Sequence, residues 1–142
     1  MIALGSDHAG LPLKKEIIAL LEEMNIPYHD YGTYTSDSCD YAMFAQRAAK
    51  AVVSGECERG ILCCGTGIGM SIAANKQRGI RAAVLSDAFS AEMTRRHNDA
   101  NVLALGARVV GPGLALKIVD TFLDTPFSNG ERHIRRIEMI ED

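Results

Sequence analysis

The sequence predicts an α/β fold with a five-stranded parallel sheet that is covered by helices on both faces. Short apolar runs alternate along the chain with longer segments of helical periodicity, which is typical of repeated strand–helix units. Glycine, proline and polar residues separate these segments. A length of 142 residues fits one domain, residues 1–142, with a core of ordinary size.

Three strands and three helices are predicted in the first half of the chain. Pro12 suits the first turn of a helix whose apolar residues recur at helical spacing. Asp40 is expected to cap an alanine-rich second helix. The predicted bounds are 2–4, 28–31 and 60–64 for the strands, and about 12–24, 41–54 and 70–76 for the helices.

The second half adds two strands and three helices. Ser86 or Asp87 is expected to cap the fourth helix, which ends near His97. Pro112, between two glycines, suits the start of the fifth helix. The predicted bounds are 79–85 and 101–106 for the strands, and about 111–123 and 131–141 for the last two helices.

The last helix has two distinct sides. Arginines line one side by i, i+3 and i+4 spacing, and three isoleucines form a separate apolar strip. This pattern predicts docking either on the body of the chain or on a neighbouring subunit. The residues are Arg132, Arg135 and Arg136 on the basic side, and Ile134, Ile137 and Ile140 in the strip.

The composition narrows the class of protein. Hydrophobic residues make up 47% of the chain and charged residues 23%, as in globular proteins. A formal net charge of −3 argues against nucleic acid as the main partner. No apolar run approaches the roughly 20 residues that cross a bilayer, and the first residues do not resemble a secretion signal. We therefore expect a cytoplasmic protein that does not bind a membrane.

The segment 59–76 is the strongest candidate for a functional site. Its apolar strand ends at Cys64, breaks into a loop with Gly65, Gly67 and Gly69, and resumes as a helix. Such a loop lets the backbone approach an anion, and the helix N-terminus favours the thiolate form of a nearby cysteine. Cys63 is expected to point to the opposite face of the strand and to serve in packing.

Three known loops do not match this spacing. A dinucleotide fingerprint needs glycine where Met70 stands, and a P-loop needs lysine followed by serine or threonine. A cysteine phosphatase loop needs arginine six residues after Cys64, and that position is again Met70. None of the four cysteines forms a C-x-x-C pair, so a zinc knuckle is not supported either. The loop is therefore expected to hold an anion or a polar sugar in another way.

Further candidates follow the carboxyl ends of the predicted strands, where ligands of open parallel sheets bind. Taken singly, most of them have ordinary interpretations as turn or capping residues. His97 and Asn98 close the fourth helix, and the helix dipole alone would favour a histidine there. We nevertheless expect the thiol, the imidazole, the glycine loop and the basic helix to converge on one edge of the sheet. The residues after strands are Asp7, His8, 64–69, Ser86, Asp87 and Arg108.

Four motifs together resemble the B-type ribose-5-phosphate isomerases, a group that includes allose- and galactose-6-phosphate isomerases. The resemblance covers essentially the whole chain. It implies a Rossmann-like three-layer α/β/α fold whose C-terminal helix packs on a partner subunit. It also implies a homodimer or homotetramer with its sites at the subunit interface. The motifs are residues 5–10, 64–76, 97–103 and 130–133.

The resemblance implies isomerisation of an aldose to a ketose by proton transfer between C1 and C2. Cys64 would be the base. Some relatives lack this cysteine and use a glutamate on the loop instead, but this chain has Met70 at the glutamate position, so only the cysteine can act as the base. His97 would open the sugar ring with help from Asp7, and Thr66 would help the loop amides to stabilise the enediolate. No metal or organic cofactor is implied. The implied substrate-binding residues are His8, Gly65, Gly67, Ile68, Gly69, Asn98, Arg108, Arg132 and Arg136, of which His8, Arg132 and Arg136 would hold the phosphate.

The function expected from these observations is interconversion of ribose 5-phosphate and ribulose 5-phosphate, in the non-oxidative branch of the pentose phosphate pathway. One alternative is an isomerase of a hexose 6-phosphate, such as allose or galactose 6-phosphate. Another is a binding module for nucleotides or phosphosugars that catalyses nothing. A binding module would not need a thiol and a histidine beside a proton that has to move.

Overall fold

The computed structural model describes all 142 residues as a three-layer α/β/α fold with the predicted order of five strands and six helices. None of the helices is both long enough and apolar enough to cross a membrane. The elements are β1 (Ile2–Ser6), α1 (Leu11–Glu23), β2 (Tyr28–Asp30), α2 (Tyr41–Val53), β3 (Arg59–Cys64), α3 (Ile68–Asn75), β4 (Ala82–Val84), α4 (Ala88–Asn98), β5 (Val102–Gly106), α5 (Pro112–Asp124) and α6 (Glu131–Glu141).

All five strands are parallel, in the order β2-β1-β3-β5-β4. The chain crosses from β2 to β3 on the other side of β1, so the topological switch point lies between β1 and β3. Ser6 pairs with Cys63 at the carboxyl end of this strand pair. Ligands of open parallel sheets bind outside such a switch point, which favours the loops after β1 and β3.

The core consists of two apolar clusters, one on each face of the sheet. Helices α1, α4 and α5 cover the face to which Ile61 and Cys63 point. Helices α2 and α3 cover the other face, to which Leu62 and Cys64 point. Successive strand side chains alternate between faces, so the two neighbouring cysteines lie in different clusters, as the sequence predicts.

A few local details differ from the sequence expectations. Helix α3 begins at Ile68, two residues earlier than predicted, so Gly69 lies in its first turn. Asp40 occupies the N-cap position of α2, but its side chain makes no capping hydrogen bond. Asp87, and not Ser86, caps α4 by accepting a hydrogen bond from the Ser90 amide at 2.6 Å.

Gly10 marks the closest approach between the start of α1 and the sheet. A methyl group added at Gly10 would lie 2.1 Å from the carbonyl oxygen of Cys63. Backbone contacts of this kind do not relax without moving the helix. Glycine at this position therefore lets α1 and the loop after β1 lie directly against the end of β3.

We expect Gly10→Ala to lower the free energy of unfolding by at least about 3 kcal/mol, because the methyl group pushes α1 away from β3. Gly113→Ala is the matched control, since a methyl group at that helical position meets nothing within 4 Å. Its expected change is within about 1 kcal/mol and stabilising in sign. Urea unfolding at one protein concentration measures both variants, and equal effects would contradict this account of the packing.

Candidate active site

The Cys64 sulfur lies at the base of the glycine loop, at the carboxyl end of β3. The Gly67 amide donates a hydrogen bond to this sulfur at 3.1 Å. Cys64 is buried, and 5% of its surface remains exposed. An amide donor at the start of α3, together with the helix dipole, stabilises negative charge on sulfur. The Gly67 amide and the start of α3 therefore both face the Cys64 sulfur.

Gly67 gives the loop its shape. Its φ of 79° lies in the left-handed region, and an added methyl group would come within 2.9 Å of the Leu105 carbonyl carbon. Thr66 accepts a hydrogen bond from the Ile68 amide at 3.2 Å through its hydroxyl oxygen, which ties the loop to the first residue of α3. The loop is thus held with the Gly67 amide close to the Cys64 sulfur.

Arg108 lies against the same loop. After β5, the amides of Ala107 and Arg108 donate hydrogen bonds to the carbonyl oxygens of Cys64 and Gly65, at 2.8 and 3.0 Å. The Arg108 guanidinium nitrogen Nη1 lies 3.7 Å from the position that a Cβ atom on Gly65 would occupy. A cation therefore flanks the loop from the neighbouring strand.

Asp7 and His8 complete this group from β1. The Asp7 carboxylate is buried and accepts a hydrogen bond from the Gly10 amide at 2.9 Å. The Nδ1 atom of the half-buried His8 accepts a hydrogen bond from the Cys39 amide at 3.2 Å. A neutral His8 ring then carries its proton on Nε2, where it donates to an anion. We call this group the thiol half-site: Asp7, His8, 64–69 and Arg108.

The structure separates His97 and Asn98 from the thiol half-site of the same chain, so the expected convergence of all candidates on one edge is wrong within one chain. Both residues are exposed in the last turn of α4. The Asn98 carbonyl accepts a hydrogen bond from the side chain of Arg81, which precedes β4. They therefore lie at the amino edge of the sheet, and about 13 Å of β5 separates this edge from the Cys64 loop. The reason is that α4 runs antiparallel to the strands.

The arginines of α6 join His97 at the amino edge. The His97 ring stacks on the ring of His133, with centroids 4.5 Å apart and planes 14° apart. Arg132 and Arg136 are exposed on the same helix as His133. We call this group the basic half-site: His97, Asn98, Arg132, His133 and Arg136.

His133 is the functional candidate that the sequence did not single out. It is the one buried residue of α6, with 7% of its surface exposed. Burial, followed by the nearby Arg132, His97 and Arg136, lowers the pKa of its imidazole below the usual 6.5. The only signal for it in the sequence is its place within the motif 130–133.

Cys63 contrasts with its neighbour Cys64. Its thiol is fully buried in the core cluster beside α1, and burial strongly raises its pKa. Cys57 is also buried, and burial raises its pKa as well. These two thiols therefore serve in packing and remain protonated at neutral pH.

A surface cavity of the chain lies away from the thiol half-site. This cavity of about 720 Å³ lies at the amino edge and includes Arg81, Asn98 and Glu141, but no residue of the thiol half-site. No group of three or more His, Cys, Asp or Glu side chains is arranged to hold a metal ion. The two half-sites thus expose their groups on opposite edges.

The fold and these groups define a class: α/β proteins with acid–base groups and cations suited to a small phosphorylated molecule. The chain belongs to the Ribose/Galactose Isomerase family, whose model matches residues 2–140. Ribose-5-phosphate isomerase B of Escherichia coli is 52% identical over 139 residues, which are 98% of this chain and 93% of that protein.

Two further comparisons agree with the family. A solved structure of ribose-5-phosphate isomerase B from Clostridium thermocellum has a TM-score of 0.97 and 54% identity, and covers 99% of this chain and 94% of its own. A D-erythrulose-4-phosphate isomerase of Pectobacterium atrosepticum is 45% identical over 130 residues, covering 91% of this chain and 86% of its own. The solved structure confirms the predicted three-layer fold.

We expect acid to destabilise the protein partly through His133. Since folding lowers its pKa, the unfolded chain binds more protons below about pH 6.5, and stability falls as the pH drops through this range. His133→Phe removes this contribution, so its free energy of unfolding should fall less between pH 7.5 and pH 5.5. Urea unfolding at several pH values measures the difference, and parallel curves for both proteins would contradict it.

Proposed function

We propose that this protein interconverts ribose 5-phosphate and ribulose 5-phosphate, with Cys64 as the base. The observation that carries the proposal is the hydrogen bond from the Gly67 amide to the Cys64 sulfur at the open end of β3. The name of the E. coli relative, ribose-5-phosphate isomerase B, supports a five-carbon substrate. A reducing compartment such as the cytoplasm suits a reaction that needs a free thiol.

A second copy of the chain completes each site in this proposal. The two half-sites of one chain lie on opposite edges of its sheet, so a two-fold dimer would bring the basic half-site of one chain over the thiol half-site of the other. Exposed apolar side chains beside both half-sites support such an interface. They are Ile68, Ile72 and Phe89 near the glycine loop, and Ile134, Met139 and Ile140 on α6.

The first chemical step in this site would open the sugar ring. Protonated His97 from one chain would donate its proton to the ring oxygen, while Asp7 from the other accepts the proton of the C1 hydroxyl. The bond between C1 and the ring oxygen breaks. The products are an aldehyde at C1 and a free hydroxyl at C4.

The second step would move the carbonyl group from C1 to C2. The Cys64 thiolate takes the proton from C2, and the amides of 65–69 with Thr66 stabilise the charge that develops on the C1 oxygen. The Cys64 thiol then returns the proton to C1. The hydrogen of the C2 hydroxyl passes to the C1 oxygen, which leaves a ketone at C2.

The remaining groups would hold the substrate. Arg132 and Arg136, one helical turn apart on α6, suit a phosphate because two guanidinium groups can donate to its oxygens together. His8 would add its Nε2 proton from the opposite chain. Asn98 and Arg108 would contact the sugar hydroxyls and close the pocket.

We expect Cys64→Ala to lower kcat for ribose 5-phosphate by about a thousandfold, because the base for the C2 proton is lost. Cys63→Ala is the matched control and should stay within about threefold, since that thiol lies in the core. The assay follows ribulose 5-phosphate formation by reduced protein with a chelator present. A loss of less than tenfold in Cys64→Ala would count decisively against a cysteine base.

The same assay separates the other candidate functions. Allose 6-phosphate, run in parallel, should react more slowly than ribose 5-phosphate. Faster turnover of allose 6-phosphate would identify a hexose-phosphate isomerase. Binding of an adenine nucleotide with no turnover of either sugar would identify a binding module.

We expect two inactive variants to restore activity when they are mixed. Cys64→Ala keeps an intact basic half-site and His97→Ala keeps an intact thiol half-site, so each heterodimer contains one complete site. After joint unfolding and refolding at equal amounts, about a quarter of wild-type activity should return, because half of the dimers are mixed and each has one of two sites.

The control mixture pairs Cys64→Ala with the double variant Cys64→Ala, His97→Ala, and it should remain inactive because no complete site forms. Activity no higher than that of the separate variants in the first mixture would rule out sites shared between chains.

A further inference from the structure

We infer that His133 is a positioning residue for ring opening, and that it holds the His97 imidazole in place by stacking beneath it. The inference rests on the proposed function, in which His97 is the proton donor to the ring oxygen. His133 has no chemical role in that mechanism, so the inference gives it a first role, that of positioning His97.

The geometry of the two rings carries the inference. His97 is exposed in the last turn of α4, and its side chain makes no hydrogen bond within the chain. Its ordered contact is with the His133 ring, at 4.5 Å between centroids and 14° between planes. His133 itself is buried between the two helices. A buried ring thus forms a flat support for an exposed one.

The way α6 is attached supports the same conclusion. His133 is the only buried residue of α6, and the other anchor of the helix is an ion pair of 2.6 Å between Glu141 and Arg81. The apolar side chains of the helix are largely exposed. A buried position on an amphipathic helix would ordinarily hold an apolar side chain, yet it holds the imidazole that touches His97.

The groups around His133 favour its neutral form, and a neutral ring can stack beneath a protonated His97. Burial, followed by the nearby Arg132, His97 and Arg136, lowers the pKa of His133 and so disfavours a proton on it. A neutral aromatic ring accepts a cation on its face, so it tolerates the protonated His97 that ring opening requires. A protonated His133 would instead repel it.

Fixing the ring matters because proton transfer needs the donor within hydrogen-bond reach of the ring oxygen. Without the support, the exposed His97 side chain samples several rotamers. We expect removal of the support to slow reaction of a cyclic sugar by about tenfold. Proton transfer by Cys64 and phosphate binding by the arginines do not depend on the stacked ring.

An acyclic substrate therefore isolates the role of His133. A four-carbon aldose phosphorylated on its C4 oxygen has no hydroxyl that could close a five-membered ring. D-erythrose 4-phosphate is such a sugar, and it is the aldose that corresponds to the substrate in the name of the 45% identical relative. If the wild type does not convert it, 4-deoxyribose 5-phosphate takes its place, because it too cannot cyclise.

The experiment measures kcat/KM for ribose 5-phosphate and for the acyclic sugar in three variants, with thermal unfolding as a check on folding. His133→Leu should lose about tenfold with ribose 5-phosphate and less than twofold with the acyclic sugar. His133→Phe retains a flat ring and should stay within about threefold on both. Ile137→Ala, half-buried one turn along α6, controls for looser docking and should affect both substrates equally.

Equal losses on both substrates in His133→Leu, or a His133→Phe variant as poor as His133→Leu, would overturn the inference. His97→Ala tells this failure apart from failure of the proposed function. If His97→Ala loses activity selectively with the cyclic sugar while His133→Leu does not, only the role of His133 is wrong. If Cys64→Ala and His97→Ala both convert both sugars normally, the proposed roles of Cys64 and His97 are wrong, and if the wild type converts no sugar phosphate, the proposed function itself is wrong.

Discussion

The direction of the parallel sheet is the constraint on which the site depends. Every strand of such a sheet ends at one edge and every helix returns the chain to the other. Residues that follow strands, such as Asp7 and Cys64, therefore gather at the carboxyl edge. Residues that end a helix, such as His97, gather at the amino edge. One chain thus carries both sets of groups but keeps them on opposite edges of its sheet, which is why the proposed function places each site between two copies.

Two adjacent cysteines show how strongly the environment controls chemistry. Cys63 points into the cluster beside α1, where burial keeps its thiol protonated. Cys64 points to the other face and receives the Gly67 amide. Gly67 and Gly10 permit this arrangement, because side chains at either position would collide with the neighbouring backbone. The packing of α1 and the shape of the glycine loop therefore determine which thiol is available.

Helix α6 links stability to the basic half-site. Its attachment to the body of the chain is largely polar, through His133 and the Arg81–Glu141 pair, and Ile134 and Ile140 are exposed. The stack of His97 on His133 makes the docking of α6 part of the geometry of the proposed proton donor.

The sequence by itself determined the features that depend on neighbouring residues. Local periodicity, turn chemistry and pleating predict the order of strands and helices, the glycine loop after β3 and the opposite orientations of Cys63 and Cys64. They also predict a cap at Ser86 or Asp87, and the structure shows that it is Asp87. Only the tertiary structure decided that His97 and Asn98 lie at the edge opposite Cys64, and that the His97 ring stacks on the His133 ring. Those facts depend on the direction of α4 and on contacts between residues far apart in the chain, which local patterns do not encode.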